Sequence, residues 1–299
     1  MRLRISTWNC FGMGQGFDAL MHLRAPAAKR FADDYVITEC ASPDVLCIQE
    51  LLSRDAQRFF DRLSLDHHVD RRRDDNRVHF GTMTVRGSGL GISTRAPLVK
   101  TAMHSFPGPS VGWDRLARKG ALHAQFAFGG THVDVITAHL QAGYDPLAVR
   151  VRAAQLESLR NFIDSVASLD RPLVVCGDFN VDGLSHARHS GEYESLQKAL
   201  DGFEDLGAAD DLPTLDPHPN GNALAHAFEP EASPQRVDYI FWRPAKGLGA
   251  ADLRHTAIGR VFDQPLEQTL LPSGNRGWAS DHYGLVATFE VATSPAGRS

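Results

Sequence analysis

Eight polar residues scattered along this chain are of the types that hydrolysis of a phosphate ester requires. They are Asn9 in TWNC, Glu50 in CIQE, His139 in TAHLQ, Asp178 and Asn180 in VVCGDFN, Asp238 in VDYIFW, and Asp281 with His282 in ASDH. Such a reaction must neutralise phosphoryl oxygens, activate a water and stabilise the leaving oxygen. Carboxylates hold a hard cation such as Mg²⁺ through oxygen, and the cation offsets charge that grows in the transition state. Histidine moves protons near neutral pH. Asparagine donates hydrogen bonds to phosphoryl oxygens without adding charge.

Each piece has an ordinary structural reading when taken alone. Asn9 or Glu50 could simply close a strand, and G-D-F-N is a good turn sequence because Gly, Asp and Asn all favour turns. A lone histidine is commonly a satisfied structural residue, and S-D-H could be a loop opening a strand. Six such polar groups, each beside a short apolar run, are harder to explain as turns. Strand ends are where a rigid scaffold presents side chains to one pocket.

The elements that would position these residues follow from apolar periodicity. Strand-like runs occur at 2–11, 45–49, 78–85, 89–93, 121–128, 133–140, 173–176, 237–242 and 285–291. Helical spacing covers 22–41, 54–65 and 192–200. The clearest helix is 146–167, where Pro146 suits the first turn and Leu156, Leu159, Ile163 and Val166 mark one face. Interleaved strands and helices with several hairpins predict an α/β chain with mixed sheets, a sheet sandwich flanked by helices. Residues 1–292 read as one catalytic domain and 293–299 as a disordered tail.

The chain has 299 residues, 42% of them hydrophobic, and a net charge of −5, which does not suggest a long nucleic-acid grip. The Arg71-Arg72-Arg73 run is followed by Asp74-Asp75 and reads as a solvated loop. Cys10, Cys40, Cys47 and Cys176 form no CxxC pair and read as reduced core residues. No run of about 18 apolar residues is present, and the first residues read as a strand rather than a signal peptide. The expected location is cytoplasmic.

In order and spacing these motifs resemble the endonuclease/exonuclease/phosphatase superfamily, which includes deoxyribonuclease I, abasic-site endonucleases, inositol-polyphosphate 5-phosphatases and neutral sphingomyelinases. The resemblance runs from Asn9 to His282. It implies a four-layered α/β sandwich of the deoxyribonuclease I type. It also implies Glu50 as the principal Mg²⁺ ligand, with Asn9 beside it and Asp281 completing the shell; Mn²⁺ or another divalent cation is the alternative. Asp178 and Asn180 would position the water and a phosphoryl oxygen. His282, oriented by Asp238, would contact the phosphate or act as base, and His139 would face the phosphate from the other side.

Several blocks are similar to the neutral sphingomyelinase branch. They are W-D-R-L-A-R-K-G-A-L around Asp114 and Lys119, H-L-Q-A with Arg152 and Gln155 on the following helix, T-L-D-P-H-P-N-G-N, and S-D-H-Y-G. In that branch Lys119 would lie near the phosphate and join His139 and Asn180 in binding substrate. Thr214, Asp216, Pro217 and Asn222 match a loop block to which no role is assigned. The implied activity is a phosphodiesterase acting on a diester such as a phospholipid headgroup, phosphocholine-like in that branch. The alternatives are a nuclease on DNA or RNA and a sugar or inositol phosphate monoesterase. The exposed aromatic hairpin of secreted bacterial sphingomyelinases has no clear counterpart; the stretch 223–234 carries Phe228 as its one aromatic. Oligomeric state is open.

Overall fold

The computed structural model describes residues 1–13, 27–70, 78–80, 83–85, 87–187, 191–246, 253–270 and 276–291. Its strands are β1 (Arg2–Asn9), β2 (Val45–Gln49), β3 (His67–Asp70), β4 (Val78–Phe80), β5 (Met83–Val85), β6 (Gly91–Thr94), β7 (Leu98–Ser105), β8 (Gly120–Phe128), β9 (Thr131–His139), β10 (Leu173–Asp178), β11 (Glu204–Asp205), β12 (Asp238–Arg243), β13 (Leu253–Val261), β14 (Pro265–Leu270), β15 (Arg276–Trp278) and β16 (Gly284–Val291). The helices are α1 (Ala27–Arg30), α2 (Asp34–Ala41), α3 (Arg54–Asp61), α4 (Pro146–Val166), α5 (Glu192–Ala199) and α6 (Ala223–Phe228), with a 3₁₀ turn at Gly112–Leu116.

Two six-stranded mixed sheets form the centre. One runs β13-β16-β1-β2-β6-β3 and the other β11-β12-β10-β9-β8-β7. The parallel pairs, β1 with β2 and β9 with β10, need helical crossovers. The first passes through α1 and α2, the second through α4. Alternation along each strand divides the side chains between layers. Leu3, Ile5, Val45 and Cys47 from one sheet meet Val135, Val174, Cys176 and Ile240 from the other. Residues of opposite parity turn outward. Trp8, Leu46 and Ile48 pack on Phe31, Val36, Cys40 and Phe60, while Ile136, Val175 and Phe241 pack on Leu156, Leu159 and Ile163 of α4. The result is helix, sheet, sheet, helix, the four-layered α/β sandwich expected. All four cysteines are buried and unbridged, as expected.

The differences from the sequence reading have local causes. The helix expected over 22–41 is two helices in its described part, because Asp33 accepts a hydrogen bond from Tyr35 N and caps a new start; residues 22–26 lie outside the described residues. The helix expected over 54–65 ends at Asp61. Where one strand was expected over 78–85, residues 78–80 and 83–85 are two strands paired antiparallel. β7 and β13 were not expected, since each lies at a sheet edge with a half-exposed, non-alternating sequence. The arginine run at 71–73 and the 293–299 tail lie outside the described residues. No helix among the described residues is long and apolar enough to cross a membrane.

Candidate active site

Strand parity brings the site together. Asn9, His139 and Asp178 share inward parity with the core residues of their strands, and each is the last residue of its strand. Asp238 opens the antiparallel β12. Register then sets Asp178 directly between His139 and Asp238. Glu50 follows β2 and Asn180 follows β10, each with positive φ, 64° and 52°. Such left-handed backbone is uncommon outside glycine and is a form of strain concentrated at functional sites.

The contacts are close. Asn9 Nδ2 donates to Asp178 Oδ2 at 2.9 Å, and Asn9 Oδ1 accepts from Phe11 N at 3.1 Å. Asn9 therefore holds Asp178 first and keeps one lone pair for a cation. The Asn180 backbone N–H donates to Asp178 Oδ1 at 2.9 Å, and its side-chain amide donates to the Leu140 carbonyl at 3.0 Å. His139 Nε2 lies 2.6 Å from Lys119 Nζ, 3.3 Å from Asp178 Oδ2 and 3.9 Å from Glu50 Oε1. That nitrogen carries either a lone pair for the ammonium or a proton for the carboxylate, one at a time. His282 Nδ1 pairs with Asp238 Oδ2 at 2.8 Å, which turns Nε2 toward Asp178 Oδ2, 4.0 Å away. Asp281 lies farther out; its Oδ1 accepts from Ser280 Oγ at 3.1 Å, and no hydrogen bond joins it to Glu50 or His282 among the described residues.

Electrostatics separates the carboxylates. Burial raises the Glu50 pKa, and the charges of His139 and Lys119 lower it without cancelling that rise. Burial also acts to raise Asp178, but His139, His282 and Lys119 outweigh it and hold this carboxyl well below the usual range. For His282, burial disfavours the charged ring, and Asp238, Asp281 and Asp178 more than compensate, so its pKa lies well above the ordinary histidine value.

The loop block with no assigned role proves to be a clamp. Thr214 Oγ1 accepts the backbone N–H groups of Val237 and Asp238 at 3.1 and 3.0 Å. The Thr214 carbonyl accepts Tyr283 N at 2.7 Å. Asn222 Nδ2 donates to the carbonyls of Ser280 and Asp281 at 2.8 and 3.1 Å, while its Oδ1 caps α6. Arg152 and Gln155 act likewise on the loop after His139. Arg152 Nη1 donates to the Gln141 and Gly143 carbonyls at 2.8 and 2.6 Å, and Gln155 Oε1 accepts Gln141 N at 2.8 Å.

Two contributors, Arg30 and Gln49, were not foreseen, and a third, Asp114, was visible in its block without a role. Buried Arg30 donates to the carbonyls of Cys10, Phe11 and Ala279, tying the exit of β1 to the S-D-H block. Asp114 joins Lys119 Nζ at 3.1 Å and accepts Ala142 N at 2.7 Å. Gln49 donates to Thr7 and Thr137, bridging the two sheets behind the site. Gln49 is a single polar residue in an apolar strand and Arg30 one at the end of a short helix, and neither carries a sequence pattern that would mark it; for Asp114 the five-residue spacing to Lys119 in the W-D-R-L-A-R-K-G block was the available signal. The stretch 223–234 contains α6, and its Phe228 packs on Phe11 rather than projecting. An aromatic surface exists elsewhere: Trp113 and Tyr144 are 70% and 62% exposed. Tyr144 precedes α4, and Trp113 adjoins Asp114.

Known proteins share this architecture. The structure superposes on SmcL with a TM-score of 0.73 at 19% identity, covering 97% of this chain and 99% of that one. It superposes on a magnesium-bound Staphylococcus aureus beta toxin mutant with a TM-score of 0.70 at 19% identity, covering 96% and 99%. For TDP2 of D. rerio with a single-strand DNA product the TM-score is 0.68 at 21% identity, covering 97% and 99%. By sequence, a Staphylococcus aureus phospholipase C is 25% identical over 176 residues, 56% of this chain and 50% of that protein. A Listeria ivanovii sphingomyelinase C is 25% identical over 174 residues, 56% and 49%. The chain thus spans about half the length of these curated relatives. The model of the endonuclease/exonuclease/phosphatase family matches residues 6–282, the whole of the segment that carries the site, and the chain belongs to that family.

Proposed function

We propose that this protein is a Mg²⁺-dependent hydrolase of phosphate esters, a sphingomyelinase-like phosphodiesterase that cleaves a headgroup diester by attack of water. The observation that carries the reading is the convergence of Glu50, His139, Asp178 and the Asp238–His282 pair at one end of the sandwich. Glu50 Oε2 is buried with no hydrogen-bond partner among the described residues. An orphaned carboxylate oxygen is costly unless something compensates it, and an oxygen-seeking divalent cation fits. Asp178, Asp238 and His282 also bring potential ligand atoms within 4.8 Å of one another, but Asp238 and His282 are engaged with each other by a 2.8 Å hydrogen bond. Glu50 is therefore the assigned ligand, with Asn9 Oδ1 beside it and Asp281 in the outer shell. Bound there, the cation would offset charge developing on phosphoryl oxygens.

The side chains divide the remaining work. Asp178 stays ionised and accepts hydrogen bonds, which suits orienting the water; as a weak base it takes the proton only when attack on phosphorus has made that water acidic. His282 is held protonated at neutral pH and donates from Nε2 to the phosphate. Asp238 fixes its ring. His139, Lys119 and Asn180 face the phosphate from the other side. The names of the phospholipase C and sphingomyelinase C relatives support a lipid diester. So do Trp113 and Tyr144, since exposed aromatic rings suit a lipid–water interface.

The test is a Mg²⁺-supplemented panel of sphingomyelin, lysophospholipids, small diesters, DNA, RNA and phosphate monoesters. Chelator-sensitive release from a lipid diester is the expected result. Turnover confined to nucleic acid or to monoesters would replace this reading with one of its alternatives.

A further inference from the structure

Beside Lys119 a groove of about 1080 Å³ runs between the β7–β8 connection and the first turns of α4. Phe106, Leu147 and Val151 supply apolar wall. Its charged residues are Arg115, Arg118, Lys119 and Arg150, and no carboxylate lines it. In a chain of net charge −5 this one-sided lining is unusual. Four arginines elsewhere are paired with carboxylates: Arg152 with Glu192, Arg160 with Asp164, Arg171 with Asp134 and Arg236 with Asp205. Arg115 and Arg150 are exposed and form no side-chain hydrogen bond or ion pair among the described residues.

The groove adjoins the site at Lys119, which lines it and whose buried Nζ sits 2.6 Å from His139 Nε2. A substrate phosphate bound at His139 would have one of its two ester substituents within reach of the groove. Arginine forks match phosphate oxygens, with charge-assisted and often bidentate hydrogen bonds. A quaternary ammonium is recognised by an aromatic cage; here it would meet one phenylalanine and three guanidiniums.

The geometry points to an anion-accepting substrate subsite: the preferred diester carries a second phosphate on the substituent that enters the groove, with the apolar wall covering the linker. This rests on the proposed phosphodiesterase reading and narrows its substrate class, away from choline-type headgroups.

Three p-nitrophenyl alkyl phosphodiesters of equal chain length test it, ending in phosphate monoester, hydroxyl or trimethylammonium. At low salt the phosphate-ended probe should show a kcat/KM about tenfold or more above the hydroxyl-ended one, the size expected for hydrogen bonds to a charged group. The ratio should fall toward one in the Arg115→Ala/Arg150→Ala variant and shrink as salt is added. Equal values for the two probes, or preference for trimethylammonium, would overturn the subsite. Calorimetric binding of an alkane bisphosphate against its monophosphate separates this from the reaction itself. If no probe is turned over but the bisphosphate binds at least about tenfold tighter, and the double variant abolishes that difference, the subsite stands and the phosphodiesterase reading falls. Equal binding of the two removes the subsite whatever the turnover.

Discussion

His282 Nδ1 lies 2.8 Å from Asp238 Oδ2, and the pair is buried at the junction of the two sheets. This contact fixes the orientation of the ring and the direction of Nε2, so removing the carboxylate should cost catalysis without unfolding the chain. Asp238→Asn should lower kcat by about 10²- to 10⁴-fold, the range of a general acid or base contribution, with little change in KM. Steady-state kinetics beside circular dichroism would check this. Loss of folded signal in step with activity would assign Asp238 a structural role instead.

The same pair makes stability depend on pH. The folded His282 pKa is raised above its unfolded value of about 6.5. Its contribution is therefore fully present below that value and is lost as pH rises through the folded pKa. Asp178 is depressed, so its contribution is present above about pH 3.9 and is lost as pH falls through the folded value. Urea midpoints for wild type and His282→Gln should differ most on the acid side of neutrality and converge as the solution is made alkaline. A constant difference across that range would contradict the raised pKa.

Glu50 should account for metal-linked stability independently of turnover. A cation that binds only the folded state raises stability by about 2.7 kcal/mol at a hundredfold excess over its Kd. Wild type should show a Tm that rises with Mg²⁺, and Glu50→Gln should flatten that response while retaining the fold. An unchanged Mg²⁺ response in the variant would move the metal away from Glu50.

Asn222 serves two masters, and its substitutions should separate them. Its Nδ2 donates to the Ser280 and Asp281 carbonyls, and its Oδ1 caps α6. Asn222→Ala should lose both functions, about 1 kcal/mol for the cap and about 1–3 kcal/mol for buried carbonyls left unpaired. Asn222→Asp retains a cap oxygen but no donor. It should recover part of the lost Tm while kcat stays depressed, because the Asp281–His282 segment remains unclamped. Equal kcat in Asn222→Asp and wild type would show that the clamp does not position His282.

The sequence by itself determined the residues that meet and most of the scaffold that brings them together. Short apolar runs at 2–11, 45–49, 133–140 and 173–176 marked strands, and Asn9, Glu50, His139 and Asp178 stood at or beside their ends, because a run of apolar residues is local information. Asn222 and Thr214 were visible as part of a block, but their purpose was not. Their partners lie 58 and 24 residues away, at Ser280 and Asp238, and contacts across such separations leave no periodicity. Edge strands β7 and β13 escaped for a related reason: they are held by pairing to β8 and β16, not by a pattern of their own. Tertiary structure alone decided that Asn9 restrains Asp178, that Arg30 and Asp114 support the site, and that Arg115, Arg118 and Arg150 line one groove. Each depends on where separate segments come to rest, which is set by the packing of two sheets against each other.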